Sequence, residues 1–317
     1  MSELLKISEF IAALEQQGSV LAADWLAQIQ LPYASFGLVE MEGLLVWSKP
    51  LDLLNSDVLI KLLAAHDSQL NVHIHKCVAS TNTFLVQQAQ TGIIENQVHL
   101  AEFQYRGRGR RGRQWLSPYA RNLAVSLGRV SERGLGELGG LSLVVGLALA
   151  EGLGRAGVRG ISLKWPNDLW VSKRKLAGIL VELVSSEVGT QIIIGFGVNV
   201  DLSDEEVRSI DQPVTDVRRC GSLASRNNLV AHCLNSLTRY LDHFEKDGFQ
   251  SFVAGFNALH ALQGVDCNLV NVGSAPDRCV RVLGVGDEGE LIVESEVGIE
   301  RIHGGEISIR PADNKNI

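Results

Sequence analysis

No part of this chain runs for about 18 uninterrupted apolar residues, so a membrane-spanning helix is not expected. A basic leader followed by a small-residue cleavage site is also missing. The chain opens Met1-Ser2-Glu3-Leu4-Leu5-Lys6, and the expectation is a cytoplasmic protein. Cysteines are few and poorly spaced. The five, Cys77, Cys220, Cys233, Cys267 and Cys279, are odd in number and never form C-x-x-C, which argues against a disulfide framework or a zinc site. They read as buried or half-buried free thiols. His73 and His75 would share one face of a strand, but no carboxylate or cysteine stands beside them, so metal ligation is not expected. There is no G-K-[ST], hence no P-loop. With a net charge of −7, nothing global favours nucleic acid. Internal repeats and low-complexity tracts are absent as well.

What is present is enough chain, 317 residues, for two or three domains. Residues 4–14 are apolar at helical spacing and residues 21–29 repeat the pattern. Residues 37–47 read as a hairpin turning near Glu42-Gly43. This predicts a winged-helix-like domain over residues 1–63, leaving through Pro50 and a linker helix over 53–63. Residues 64–263 alternate the two periods. Strands are expected at 72–76, 98–103, 122–127, 161–165, 168–171, 176–184 and 191–200. Helices are expected after the cap Ser80-Thr81-Asn82 and over 138–153, 229–244 and 252–262. The fold class is α/β (α+β) with a mixed sheet. Residues 264–317 show only short β segments between Gly and Asp turns, at 268–271, 279–283, 291–293, 299–302 and 307–309, and predict a small β-barrel.

The acidic net charge makes residues 104–113 conspicuous, since they hold five arginines and no acid. Gly107-Arg108-Gly109-Arg110-Arg111-Gly112 matches G-x-G-x-x-G, but a dinucleotide fingerprint needs its last glycine to open a helix. Here Arg113-Gln114-Trp115-Leu116-Ser117-Pro118 follows and reads as loop. A glycine-flexible, arginine-rich loop between strands suits an anionic ligand, which arginine's planar fork grips. Repulsion among the arginines predicts a loop that is mobile alone and ordered by its ligand. A second cluster is Lys164-Trp165-Pro166-Asn167-Asp168 followed by Lys175-Leu176-Ala177-Gly178. Two strands joined through Lys173-Arg174 would bring Asp168 and Lys175 together. A lysine at the mouth of a small apolar slot beside Gly178 suits a ligand with an apolar body and an anionic end. In Gly195-Phe196-Gly197-Val198-Asn199, two glycines weaken a strand unless something approaches its backbone.

Together these segments resemble the biotin protein ligase family, in its bifunctional bacterial form with a winged helix in front. Gly304-Gly305-Glu306-Ile307-Ser308 adds to the likeness. The resemblance implies a catalytic domain related to class II synthetase and lipoate ligase domains, and an SH3-like barrel over 264–317. It implies that Ser80, Thr81, Asn82, Gln104, Arg108, Gly109, Arg110, Lys175 and Gly178 hold biotin. Arg110, Arg111, Arg113, Trp115, Asn167 and Asn199 would hold ATP and the adenylate, and Lys175, Arg108 and Asp168 would serve catalysis. Magnesium would travel with ATP, with no protein ligands of its own. The implied partner is the biotin carboxyl carrier protein of acetyl-CoA carboxylase, with a ligand-linked homodimer and biotin-operator DNA as further family properties. Arg106 departs from the family, standing where relatives often have a small residue. Alternatives are a lipoate-type ligase and a biotin-sensing repressor without ligase activity. DNA binding is not expected here. Residues 30–37, with Pro32 and Gly37, leave little room for a recognition helix, and residues 1–64 hold three lysines against eight acids.

Overall fold

Ile7, Phe10, Ile11 and Leu14 recur at the spacing that lines one helix face, and all four are buried beneath α1 (Glu3–Gln17). The computed structural model describes residues 3–29, 31–64, 69–186, 189–271, 278–303 and 307–312. Gly18, at φ 75°, turns the chain out of α1 into β1 (Ser19–Leu21). The helix expected over 21–29 is reduced to α2 (Ala22–Trp25) and a following turn. Its first residue is instead drawn into β1, which pairs with β3 (Leu44–Trp47). The hairpin is as expected. β2 (Leu38–Met41) pairs with β3 across Glu42-Gly43, both at positive φ, giving the order β1-β3-β2. Between α2 and β2 the described residues hold only one 3-10 turn, Tyr33–Phe36. The linker helix α3 (Ser56–Ala64) starts three residues after its expected beginning, and its Leu59 and Leu63 enter the central core.

That core is built on β4 (Asn71–Val78), β5 (Gln97–Gln104), β6 (Asn122–Ser131), β7 (Ile161–Lys164), β8 (Asp168–Val171), β9 (Arg174–Ser186) and β10 (Gly189–Asn199). Their order is β4-β5-β6-β10-β9-β8-β7, mixed because β4 and β5 run parallel and the other pairs antiparallel. α4 (Thr81–Ala89) begins at the Ser80 cap. α5 (Leu141–Arg155) starts three residues later than expected because Gly140, at φ 74°, separates it from a 3-10 turn at Leu135–Leu138. The stretch Leu135–Arg155 is long and apolar enough to cross a membrane by length and composition, yet α5 is mostly buried against α7 and the sheet. α6 (Asp204–Arg208), α7 (Arg226–Asp247) and α8 (Val253–Leu259) complete the helices.

The five C-terminal segments form β11 (Asp266–Asn271), β12 (Arg278–Val285), β13 (Leu291–Ser295), β14 (Gly298–Ile302) and β15 (Ile307–Pro311). They make one antiparallel sheet, β14-β13-β12-β11-β15. Cys267, Val280, Val293 and Ile309 join the same continuous core as the central sheet. None of the five cysteines is in a disulfide. Cys279 is exposed rather than buried, because Val280 and Val282 take the inward positions of β12. Residues 304–306 of the expected Gly-Gly-Glu segment lie outside the described residues.

Candidate active site

The segments singled out above converge at one end of the central sheet. Pairing β8 with β9 through the tight turn at Ser172-Lys173 brings Lys175 Nζ to 2.8 Å from Asp168 Oδ1, with both side chains about 15% exposed. The backbone of Lys175 is held on two sides. Its N–H donates to Pro213 O (2.9 Å), and its carbonyl accepts from Thr215 N–H (3.0 Å) and from Asn199 Nδ2 (3.4 Å). Asn199 also donates to Thr215 O (3.0 Å). It is buried here as a clamp on the lysine strand.

Gly178 of β9 and Gly197 of β10 are directly opposed, and their missing side chains leave a floor. Trp115 lies on that floor. A Cβ on Gly178 would stand 3.1 Å from the indole, and one on Gly197 would overlap it. Lys175 Nζ sits 5.5 Å from the indole centroid, within cation–π range. The indole thus occupies the space that the two glycines leave beside Lys175. Trp115 Nε1 is buried without a protein partner.

The arginine loop folds as a miniature hairpin. Gly109 N–H donates to Arg113 O (2.7 Å) and Trp115 N–H to Gly107 O (2.9 Å). Arg111 takes the left-handed conformation at the tip (φ 58°). Arg108 pairs with Glu182 (2.9 Å) and reaches Thr83 Oγ1 (3.3 Å). Arg110 Nη1 donates to Asn167 Oδ1 (3.2 Å), and Asn167 Nδ2 to Ile179 O (2.8 Å). Burial lowers the Arg110 pKa, as does neighbouring Arg111, while Asp168 acts in the opposite direction. Arg111 and Arg113 are exposed.

At the other end a polar nest is buried under the first turn of α4. Gln104 Oε1 accepts from Thr81 N–H (2.8 Å) and Thr81 Oγ1 (3.2 Å). Ser80 caps the helix through Thr83 N–H. Asn82 Nδ2 donates to Glu182 Oε2 (2.9 Å) and Leu180 O (3.1 Å). Ser126 donates to Asn82 Oδ1 (2.6 Å) and lies 2.8 Å from Thr81 Oγ1. Ser126 and Glu182 were missed from sequence. Their signal was available, since each is a polar residue interrupting an apolar strand. His73 and His75, on β4, stack instead with buried His99 (4.8 and 5.2 Å).

A mixed sheet that sets a cationic loop and a buried polar nest around a glycine-floored cleft has known counterparts. Residues 74–199 match the biotin/lipoate A/B protein ligase family. The bifunctional ligase/repressor BirA of Salmonella typhimurium is 34% identical over 266 residues, 84% of this chain and 81% of that protein. Its Escherichia coli namesake is 33% identical over the same shares. The biotin protein ligase of Aquifex aeolicus, solved with biotin and ATP, superposes with a TM-score of 0.66 at 28% identity, covering 76% of this chain and 99% of that one. The chain belongs to the biotin protein ligase family.

Proposed function

We propose that this chain forms biotinyl-5′-AMP from biotin and ATP and passes the biotinyl group to a lysine of a biotin carboxyl carrier protein. The carrier of acetyl-CoA carboxylase is the proposed acceptor. The observation that carries this reading is the Lys175–Asp168 pair at the mouth of the Gly178–Gly197 floor, facing the arginine loop. The apolar body of biotin would lie along that floor, with the Trp115 indole moving off it to cover the ligand. The ureido ring needs hydrogen-bond partners, and the nest of Ser80, Thr81, Asn82 and Gln104 supplies buried polar groups of the right kind. This favours biotin over lipoate, whose ring offers nothing to such a nest.

In the first step a biotin carboxylate oxygen attacks the α-phosphorus of ATP and pyrophosphate leaves. Lys175 would stabilise the charge gathering between carboxylate and phosphate, with Arg108 and Arg110 beside it. Arg108 must first release Glu182, which holds its fork in the free chain. Trp115, Asn167 and Asn199 border the adenylate in this reading, with Gly109, Arg111 and Arg113 closing the loop over it. In the second step an acceptor amine attacks the mixed anhydride and AMP leaves, with Asp168 orienting the amine. Magnesium would be carried by the phosphates of ATP. Bound there, it offsets phosphate charge. The organisation proposed is a winged-helix-like unit at 1–63, the catalytic domain at 64–263 and an SH3-like barrel at 264–317, in a cytoplasmic protein. Labelled biotin with ATP and an acceptor domain tests the activity. Label on the acceptor with release of AMP and pyrophosphate is expected. Transfer of lipoate alone, or binding without turnover, would overturn it.

A further inference from the structure

The arginine loop leaves β5 after Gln104 and returns at Tyr119-Ala120, where Ala120 N–H donates to Glu102 O (3.0 Å) and closes its root. The two residues at that root, Phe103 and Tyr119, are 2% and 0% exposed, yet neither is buried in the central core. They fill the core of the N-terminal unit. Phe103 stacks on Phe36 at 4.4 Å and 26°, and Phe36 meets Phe10 edge-on at 5.2 Å. Tyr119 stacks on Trp47 at 5.1 Å and 23°, and its hydroxyl donates to Glu15 (2.6 Å). Two residues on, Arg121 is strapped to the same unit through Ser48 Oγ (3.2 Å) and Lys49 O (3.3 Å). The small N-terminal core is thus completed by two rings from the loop root.

We propose that Phe36 and Trp47 are positioning residues for the arginine loop, fixing its two roots from the N-terminal unit and so setting how well the loop closes on biotin. This rests on the ligase reading above. The coupling runs through one peptide step. Phe103 precedes Gln104, whose side-chain Oε1 accepts from Thr81 N–H in the first turn of α4. The 3-10 turn that takes the place of a longer helix supplies the ring that does this, Phe36. The N-terminal unit acts as a fixed support for the roots of the loop.

The test uses the full-length protein and the variants Phe36→Ala, Phe36→Leu and Tyr119→Phe. The readings are biotin KM and kcat from pyrophosphate release, and the rate of tryptic cutting at 106–113 without ligand, relative to sites elsewhere in the chain. Phe36→Ala is expected to raise biotin KM about tenfold, the upper range for one stacked pair, and to speed loop cutting about as much. Its kcat at saturating biotin stays within about threefold of the parent, and Phe36→Leu restores most of the loss. Tyr119→Phe removes a single hydroxyl, and decides the matter if Phe36→Ala does not fold. It should raise KM and loop cutting roughly threefold. Folded variants with parental KM and parental loop cutting overturn the proposal, as does cutting that rises equally at all sites. If the parent protein makes no biotinyl-AMP, the ligase reading fails, and loop cutting without ligand alone decides whether the roots are held.

Discussion

Lys175 is fixed by its neighbours before any substrate arrives. Pro213 and Thr215 hold its backbone, Asn199 clamps the same carbonyl, and Asp168 holds its ammonium. That is a preorganised cation, so Lys175→Ala should fold and lose at least about 100-fold in adenylate formation. Pyrophosphate release at saturating biotin and ATP measures it, and near-parental rates would remove Lys175 from the chemistry. Gly197 tests the floor. An added methyl overlaps the Trp115 indole, and overpacking of this kind costs about 1–3 kcal/mol. Gly197→Ala should shift the tryptophan emission and raise biotin KM by about tenfold. Unchanged emission would mean that the indole does not rest there. Much of this was legible in the sequence, because a lysine opening an apolar strand beside Gly178, and glycines flanking Phe196, are departures from ordinary strand composition. The engagement of Arg108 by Glu182 was not. Ion pairing between residues 74 apart depends on register across the sheet, which no local pattern encodes.

Elements with strong periodicity were the readable ones. The apolar runs of β5, β6 and β10 and the amphipathic α7 stand where the pattern puts them. β1 was not readable, because three residues carry no period of their own and become a strand only by pairing with β3. The boundary of α5 was obscured by apolar residues on both sides of Gly140. The most consequential element is the one that is short. A helix-turn-helix reads DNA with a second helix in the major groove, supported by cations on phosphates. Here a four-residue 3-10 turn precedes β2, Phe36 of that turn is buried, and the hairpin exposes Glu40 and Glu42. Residues 1–64 carry three lysines against eight acids, and Lys49 is already paired with Asp201. This unit is expected to have lost sequence-specific DNA binding. In a gel-shift titration with biotin-operator DNA, at low salt and with biotinyl-AMP present, no saturable shift should appear. Saturation at nanomolar protein would show that the turn still reads a groove.

Across the whole molecule one continuous core joins α3, the central sheet and the C-terminal sheet, so these parts should unfold together. Two buried histidines, His99 beside Phe84 and His260 against Phe256 of this core, predict how the fold responds to acid. Burial lowers the pKa of His99 to about 4, helped by His75 and His73, and burial alone lowers that of His260 to about 4. Neither ring nitrogen of His260 has a protein partner. Both residues are therefore neutral in the folded chain, whereas the unfolded chain takes up protons near pH 6.5. The folded state gains its full advantage from them above pH 6.5 and loses it as pH falls toward 4. For His260, where burial acts alone, the slope approaches ~1.4 kcal/mol per pH unit, about 3 kcal/mol by pH 4. Carboxylates that are ion-paired in the fold titrate in an overlapping range, so the parent profile alone does not isolate the histidines. His260→Leu does, because it replaces an unpartnered polar ring at a 7% exposed site with an apolar side chain of similar volume. The variant should match the parent's stability within about 1.5 kcal/mol at pH 7.5, since the lost contacts are offset by removing two unpaired nitrogens. Between pH 6.5 and 4.5 it should lose less stability than the parent, with the gap widening as pH falls. Urea unfolding at a series of pH values measures both curves. Parallel curves across that window would show that His260 is already protonated in the folded chain, or that its site admits water.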